Sequence, residues 1–132
     1  MLRILLVEDN AGDRYLAQLA LDEIGVAADI DCVVDGAAAW TLLTQIAQGI
    51  RPRPDLVLLD INVPLVDGTE ILARIVAEPR LADLPVVMLT TSNAPRDRDA
   101  CTRLGAAAYL VKPCAYDDFL VLMRQAVALA RL

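Results

Sequence analysis

Four places in the chain combine chemically useful side chains with one shared context: each closes a short apolar run. Glu8 and Asp9 follow RILLV (residues 3–7), Asp60 follows LVLL (Leu56–Leu59), Thr90 follows PVVML (residues 85–89), and Lys112 follows AYLV (Ala108–Val111). A strand covered on both faces has no cheap place for a charge in its interior, so these groups belong where a strand stops and solvent begins. Brought to one place, Glu8, Asp9 and Asp60 would be three like charges, mutually destabilising unless a cation lies between them. A hard divalent ion resolves the repulsion. Mg²⁺ fits best, since it accepts one or two carboxylates plus waters and a phosphoryl oxygen. Lys112 adds a point charge and Thr90 a hydroxyl, and the set makes a pocket for a phosphoryl group in which Asp60 is a nucleophile able to become an acyl phosphate.

Taken singly, each residue has a plainer role. An Asp after a strand caps a helix or opens a turn, Glu8-Asp9-Asn10 can cap the first helix with Asn10 as N-cap, Thr90 is an ordinary strand residue, and Lys112 a solvated surface group. Their joint placement at four strand ends is what points to a site.

The elements that must position them are legible in the periodicity. Runs of β type lie at residues 3–7, 29–34, 56–59, 85–89 and 108–111. Between them, Leu16, Leu19, Ala20 and Ile24 recur at helical steps, as do Ala39, Leu43, Ile46, Ala47 and Ile50; further helical segments cover residues 68–77, 94–104 and 115–131. Five βα units with buried strands imply a parallel sheet with helices on both faces, the doubly wound flavodoxin-like (βα)5 class with strand order 2-1-3-4-5. In this class all strands point their C-terminal ends to one edge, and ligands bind there beside the reversal of strand order. The Arg51-Pro52-Arg53-Pro54 stretch is a connector, too short for a domain linker.

At 132 residues the chain is expected to form a single domain over residues 1–132 with no output domain after the fifth helix. Apolar residues make up 57% of it, and the longest apolar stretches fall short of the roughly 18 residues a membrane span needs; with no cleavable signal at Met1-Leu2-Arg3, the expected location is cytoplasmic. A net charge of −6 argues against direct DNA binding. Cys32, Cys101 and Cys114 show no metal spacing and read as reduced thiols, while the absence of His excludes a Ser-His-Asp triad and a phosphohistidine carrier.

The motifs VEDN (residues 7–10), LLDINVPLVDG (58–68), VMLTTS (87–92) and GAAAYLVKP (105–113) resemble the successive signatures of response-regulator receiver domains of two-component signalling. The long loop before the third strand and the LTTS wording are similar to single-domain regulators associated with bacterial phytochromes. The resemblance implies that Asp60 accepts a phosphoryl group from a sensor histidine kinase, which can be a phytochrome-type photoreceptor. It implies that Asp9 binds Mg²⁺ directly, Glu8 through water and Asn62 through its backbone carbonyl. Lys112 would contact the phosphoryl oxygens, Thr90 would move to hydrogen-bond them, and Tyr109 would be the aromatic whose burial follows Thr90. The protein would be a switch that assists its own phosphorylation and dephosphorylation, not an enzyme. Its readout would be the surface of the fourth helix, fifth strand and fifth helix. Asn62 and Ser92 would tune the lifetime of the phosphorylated state. The family has a cis peptide at the position of Pro113, and Cys114 departs from the aromatic often found there; a reactive Cys114 near a helix N-terminus is an additional reading.

Two alternatives differ in class. A haloacid-dehalogenase-like phosphohydrolase needs a second Asp two residues after the nucleophile, where this chain has Asn62. A degenerate receiver serving only as a binding module would lack one of Asp9, Asp60, Thr90 or Lys112, and all four are present.

The last helix is more apolar than one buried face requires. At about 100° per residue, Phe119, Met123, Ala126, Val127 and Ala130 form a stripe facing the sheet, leaving Val121, Ala128 and Leu132 opposite with Leu122 and Leu129 flanking. Because most soluble homo-oligomers are two-fold dimers, the expected partner is the same helix of a second copy, with Arg96, Arg98 and Arg103 near the rim.

Overall fold

Every residue of LVLL is buried, which a strand achieves only at the centre of a sheet covered on both sides. The computed structural model, which describes residues 1–130, builds that sheet from β1 (Leu2–Val7), β2 (Ala28–Val33), β3 (Leu56–Leu59), β4 (Val86–Thr90) and β5 (Ala108–Val111). The helices are α1 (Ala11–Glu23), α2 (Gly36–Ala47), α3 (Gly68–Ala77), α4 (Pro95–Leu104) and α5 (Tyr116–Val127). All pairings are parallel and the order is β2-β1-β3-β4-β5, the doubly wound flavodoxin-like arrangement expected from the sequence.

Alternation along the strands divides the core in two. Leu5, Val7, Val57 and Leu59 pack with Leu43 of α2 and Ile71 and Ile75 of α3 on one face. Ile4, Leu6, Leu56 and Leu58 pack with Ala17 and Leu21 of α1 and Phe119 and Met123 of α5 on the other.

Helix starts are fixed by side chains that satisfy otherwise orphaned N–H groups. Asn10, Asp35 and Asp67 accept from the N–H groups of Asp13 (2.9 Å), Ala38 (2.6 Å) and Glu70 (3.0 Å). α4 instead begins with Pro95 and ends at Gly105, whose φ of 101° is the left-handed conformation glycine supplies.

Several sequence expectations are corrected. The core face of α1 is Ala17, Ala20 and Leu21 with Ile24 partly buried, whereas Leu16 and Leu19 are exposed; the true stripe keeps the helical step but starts one residue later, and its small alanines let α1 lie close to the sheet. α2 stops before Ile50, which is exposed, because Gly49 turns the chain at φ 78°. β2 is an edge strand and only half covered, unlike the buried central strands. The Lys112-Pro113 bond is trans, as is every peptide bond among the described residues; trans is the intrinsically favoured isomer of X-Pro by about 0.5–1 kcal/mol. α5 ends at Val127, short of the expected residue 131; Val127 packs against the core as expected, and Leu122, expected on the flank, packs there too, so the outer face is narrower than the sequence implied. Arg131 and Leu132, assigned to this helix from the sequence, lie outside the described residues.

No helix among the described residues is long and apolar enough to cross a membrane.

Candidate functional site

Strand register brings the site together. Val7 and Leu59 are neighbours across the β1·β3 pair, so the next residues, Glu8 and Asp60, emerge side by side at the C-terminal edge, and the Asp60 N–H donates to the Val7 carbonyl at 3.2 Å. This is the edge where the strand order reverses, with β2 and β3 on opposite sides of β1. On the other side, Thr90 pairs with Val111, and the Lys112 N–H donates to the Thr90 carbonyl at 2.8 Å.

Carboxylate oxygens of Glu8, Asp9 and Asp60 all lie within 4.8 Å of one another. Glu8 and Asp60 are buried and Asp9 is exposed, so the cluster has a dry floor and an open side. The donor set is hard oxygen, which suits Mg²⁺ or Mn²⁺ and not a thiophilic metal. Asn62 donates its N–H to Asp60 Oδ1 at 3.2 Å, fixing the turn that follows the nucleophile candidate.

The ammonium of Lys112 is the counter-charge. It donates to Asp60 Oδ2 at 3.1 Å, to Asp13 Oδ2 at 3.0 Å and, by a short contact, to Glu8 Oε1. Burial favours its neutral form, but the hydrogen bond to Glu8 and the charge of Asp60 outweigh burial and raise its pKa, so Lys112 stays charged. Burial pushes the Glu8 carboxyl up to about 7, and the neighbouring charge of Asp60 adds to this against the opposing pull of Lys112. The Glu8 backbone is held as well: its carbonyl accepts from Arg14 Nη1 at 3.0 Å.

Thr90 is fully buried, and its Oγ1 accepts from the Ser92 N–H at 3.2 Å. Tyr109, expected to follow Thr90, is itself buried, with its hydroxyl donating to the Ser92 carbonyl at 2.9 Å and its ring 4.9 Å from the Arg98 guanidinium. Ser92 also donates its hydroxyl to Asp97 at 2.5 Å, tying the loop to the first turn of α4. Glu8, Asp9, Asp60, Asn62, Thr90 and Lys112 therefore gather at this edge, with Tyr109 one hydrogen bond from Ser92.

Asp13 and Arg14 were missed. Their signal was available: both fall in the first turn of a helix that starts at the same edge, four and five residues beyond Asp9. A cavity of about 150 Å³ opens beside them, lined by Asp13, Leu16, Lys112, Cys114, Tyr116 and Phe119. Cys114 is exposed and, like Cys32 and Cys101, forms no disulfide. Burial raises the thiol pKa of Cys101, whose Sγ lies 4.0 Å from Thr69 Oγ1, and that of Cys32.

The family model for the response regulator receiver domain matches residues 4–124. Response regulator Rcp1 of Synechocystis sp. is 42% identical over 110 residues, covering 83% of this chain and 75% of the relative. The Mn²⁺-bound form of Rcp1 superposes with a TM-score of 0.85 at 37% identity, over 95% of this chain and 91% of that one. The phosphorylated cyanobacterial phytochrome response regulator RcpA gives 0.85 at 36% identity, over 93% and 89%. Fold, site edge and sequence agree: the chain belongs to the response regulator receiver domain family.

Proposed function

We propose that the chain is a phosphoacceptor switch in which Asp60 takes a phosphoryl group from a sensor histidine kinase. The observation that carries this is the placement of Lys112 Nζ against Asp60 and Glu8, beside a carboxylate cluster open to solvent at Asp9. An Asp60 oxygen forms the bond to phosphorus, the phosphorus–nitrogen bond to the kinase imidazole breaks, and the imidazole leaves with the electron pair. Lys112 and the Thr90 hydroxyl bind the phosphoryl oxygens as charge develops on them. Glu8, Asp9, Asp60 and the Asn62 carbonyl would hold Mg²⁺, which when bound supplies positive charge against the carboxylates and the phosphoryl group. The chain then acts as a signalling switch and not as an enzyme turning over a free substrate.

The similarity to Rcp1 and to a cyanobacterial phytochrome response regulator supports a phytochrome-type kinase as the donor. The net charge of −6 supports action without direct DNA contact, and the reading extends to a cytoplasmic switch that signals through the α4-β5-α5 surface and pairs with a second copy of the chain. Incubation with acetyl phosphate and Mg²⁺ tests the reading: mass spectrometry should place one phosphoryl group on Asp60, chelation should prevent it, and Asp60→Asn should abolish it. Full labelling of Asp60→Asn would overturn the assignment.

A further inference from the structure

Lys112 has three N–H donors, and three different carboxylates use them. Two, Glu8 and Asp60, belong to the carboxylate cluster. The third, Asp13, does not. Its backbone is fixed in the first turn of α1, where its N–H donates to Asn10 Oδ1, yet its side chain is 36% exposed against 9% for Asp60 and 4% for Glu8. The cavity beside Asp13 and Lys112 leaves both side chains room to shift.

We propose that Asp13 is a positioning residue for Lys112: it draws the ammonium towards α1 and neutralises part of its charge, which weakens the hold of Lys112 on a phosphoryl group at Asp60. The inference rests on the reading of Asp60 as phosphoacceptor and says how that site is tuned. When acetyl phosphate is the donor, an Asp60 oxygen bonds to phosphorus, the phosphorus–oxygen bond to the acetyl group breaks, and acetate leaves. In the reverse sense of signalling, water attacks phosphorus, the bond to Asp60 breaks, and carboxylate and inorganic phosphate are released with one proton. Lys112 meets the phosphoryl oxygens in the bound donor and in the acyl phosphate. Asp13 competes with them for the ammonium and adds a negative charge facing an anionic donor. Because Asp13 is partly hydrated, its effect is screened, and a several-fold change is the scale to expect.

The test compares wild type with Asp13→Asn in Mg²⁺ and acetyl phosphate, reading Asp60 occupancy by mass spectrometry. Asp13→Asn should lower the KM for acetyl phosphate about threefold or more at an unchanged limiting rate, and lengthen the half-life of the acyl phosphate by a similar factor. In the metal-free protein the NMR resonances of the Lys112 side-chain end should shift in the same variant, a readout independent of phosphorylation. Asp13→Glu should restore wild-type behaviour. Asp22→Asn, an equal charge change near the far end of α1 where the carboxylate accepts from Gln18 Nε2, should change none of the three. Asp13→Ser repeats the measurement if the amide variant fails to fold. An Asp13→Asn protein with wild-type KM, half-life and Lys112 resonances would overturn the proposal, as would equal gains from Asp22→Asn. Wild-type protein that takes no label at Asp60 would instead remove the parent reading and this one with it, whereas labelled wild type with an indifferent Asp13→Asn removes this one alone.

Discussion

The Tyr109 hydroxyl donates to the carbonyl of Ser92, whose own N–H donates to Thr90 Oγ1, so one loop residue links the hydroxyl at the site to the buried aromatic of β5. Ser92 also holds Asp97 in the first turn of α4, and Arg98 lies over the Tyr109 ring. A displacement of Thr90 therefore has a short hydrogen-bonded route to α4 and β5. This is the kind of discretely packed element that can take two arrangements.

Thr90→Ala removes the hydroxyl at one end of that route and leaves the carboxylates and Lys112 in place. The variant should accept phosphate on Asp60 but lose the phosphorylation-dependent change at α4 and α5. Backbone amide NMR of residues 92–104, with and without phosphorylation, reads the outcome. A wild-type pattern of shifts in Thr90→Ala would show that the route is not used.

The raised pKa of Glu8 gives a pH dependence with a definite sign. Its carboxyl titrates near 7 in the folded chain against 4.5 when unperturbed, so between these values the folded state holds a proton that the unfolded state has lost. Stability of the metal-free protein from this group is therefore greatest below about pH 4.5 and falls as pH rises to about 7. Divalent ion binding needs the ionised form and should strengthen over the same interval. Thermal melts of metal-free protein from pH 5 to pH 8 should show a slope that Glu8→Gln flattens. Mg²⁺ titrations should tighten across the same range.

Gly68 opens α3 against the backbone of Asp60 and Ile61. A Cβ added there would sit 2.1 Å from the Asp60 carbonyl oxygen and 2.8 Å from the Ile61 Cα, both backbone atoms that cannot swing aside. Gly68→Ala should destabilise the fold by about 3 kcal/mol, near the upper end for overpacking, and displace Asp60 enough to weaken Mg²⁺ binding. Urea unfolding reads the first effect, and a midpoint equal to wild type would show that the turn yields freely.

The fold class and the site edge were legible because LVLL, ILLV and VVML are unbroken apolar runs each followed by a polar group, and parallel topology turns those positions into neighbours. The surplus of apolar residues obscured the helix faces. In α1, both the set Leu16, Leu19, Ala20 and the set Ala17, Ala20, Leu21 have helical spacing, and only packing against the sheet selects the second. Asp13 stayed hidden because an acidic residue in a first helical turn is already explained by the helix dipole; its contact with Lys112 spans 99 residues and follows from the fold. Ser92 was singled out for the lifetime of the phosphorylated state, but its bridging role was not legible, since two of its four hydrogen bonds use its backbone N–H and carbonyl, which composition cannot distinguish.

The outer face of α5 bears on assembly. Val121 is 51% exposed, and just past the last helical residue Ala128 and Leu129 (39%) are exposed as well, whereas Leu122 and Val127 turn inward to the core. The remaining patch is small, and a stable two-fold interface needs on the order of 1,000 Å², more than one narrow helix face supplies. Polar neighbours must then contribute. On α5, Asp117 and Asp118 are exposed in the first turn; on α4, Arg96, Arg98 and Arg103 are exposed, and β5 runs beside α4. In an isologous dimer each acidic turn can meet the basic helix of the partner, so charge complements the aliphatic centre. Val121→Glu with Leu129→Lys should therefore yield a folded monomer, while Asp117→Lys should weaken association in a salt-sensitive way. Light scattering reads both, and wild-type protein that remains monomeric at about 100 μM, with and without phosphorylation, would exclude α5 as a dimer interface.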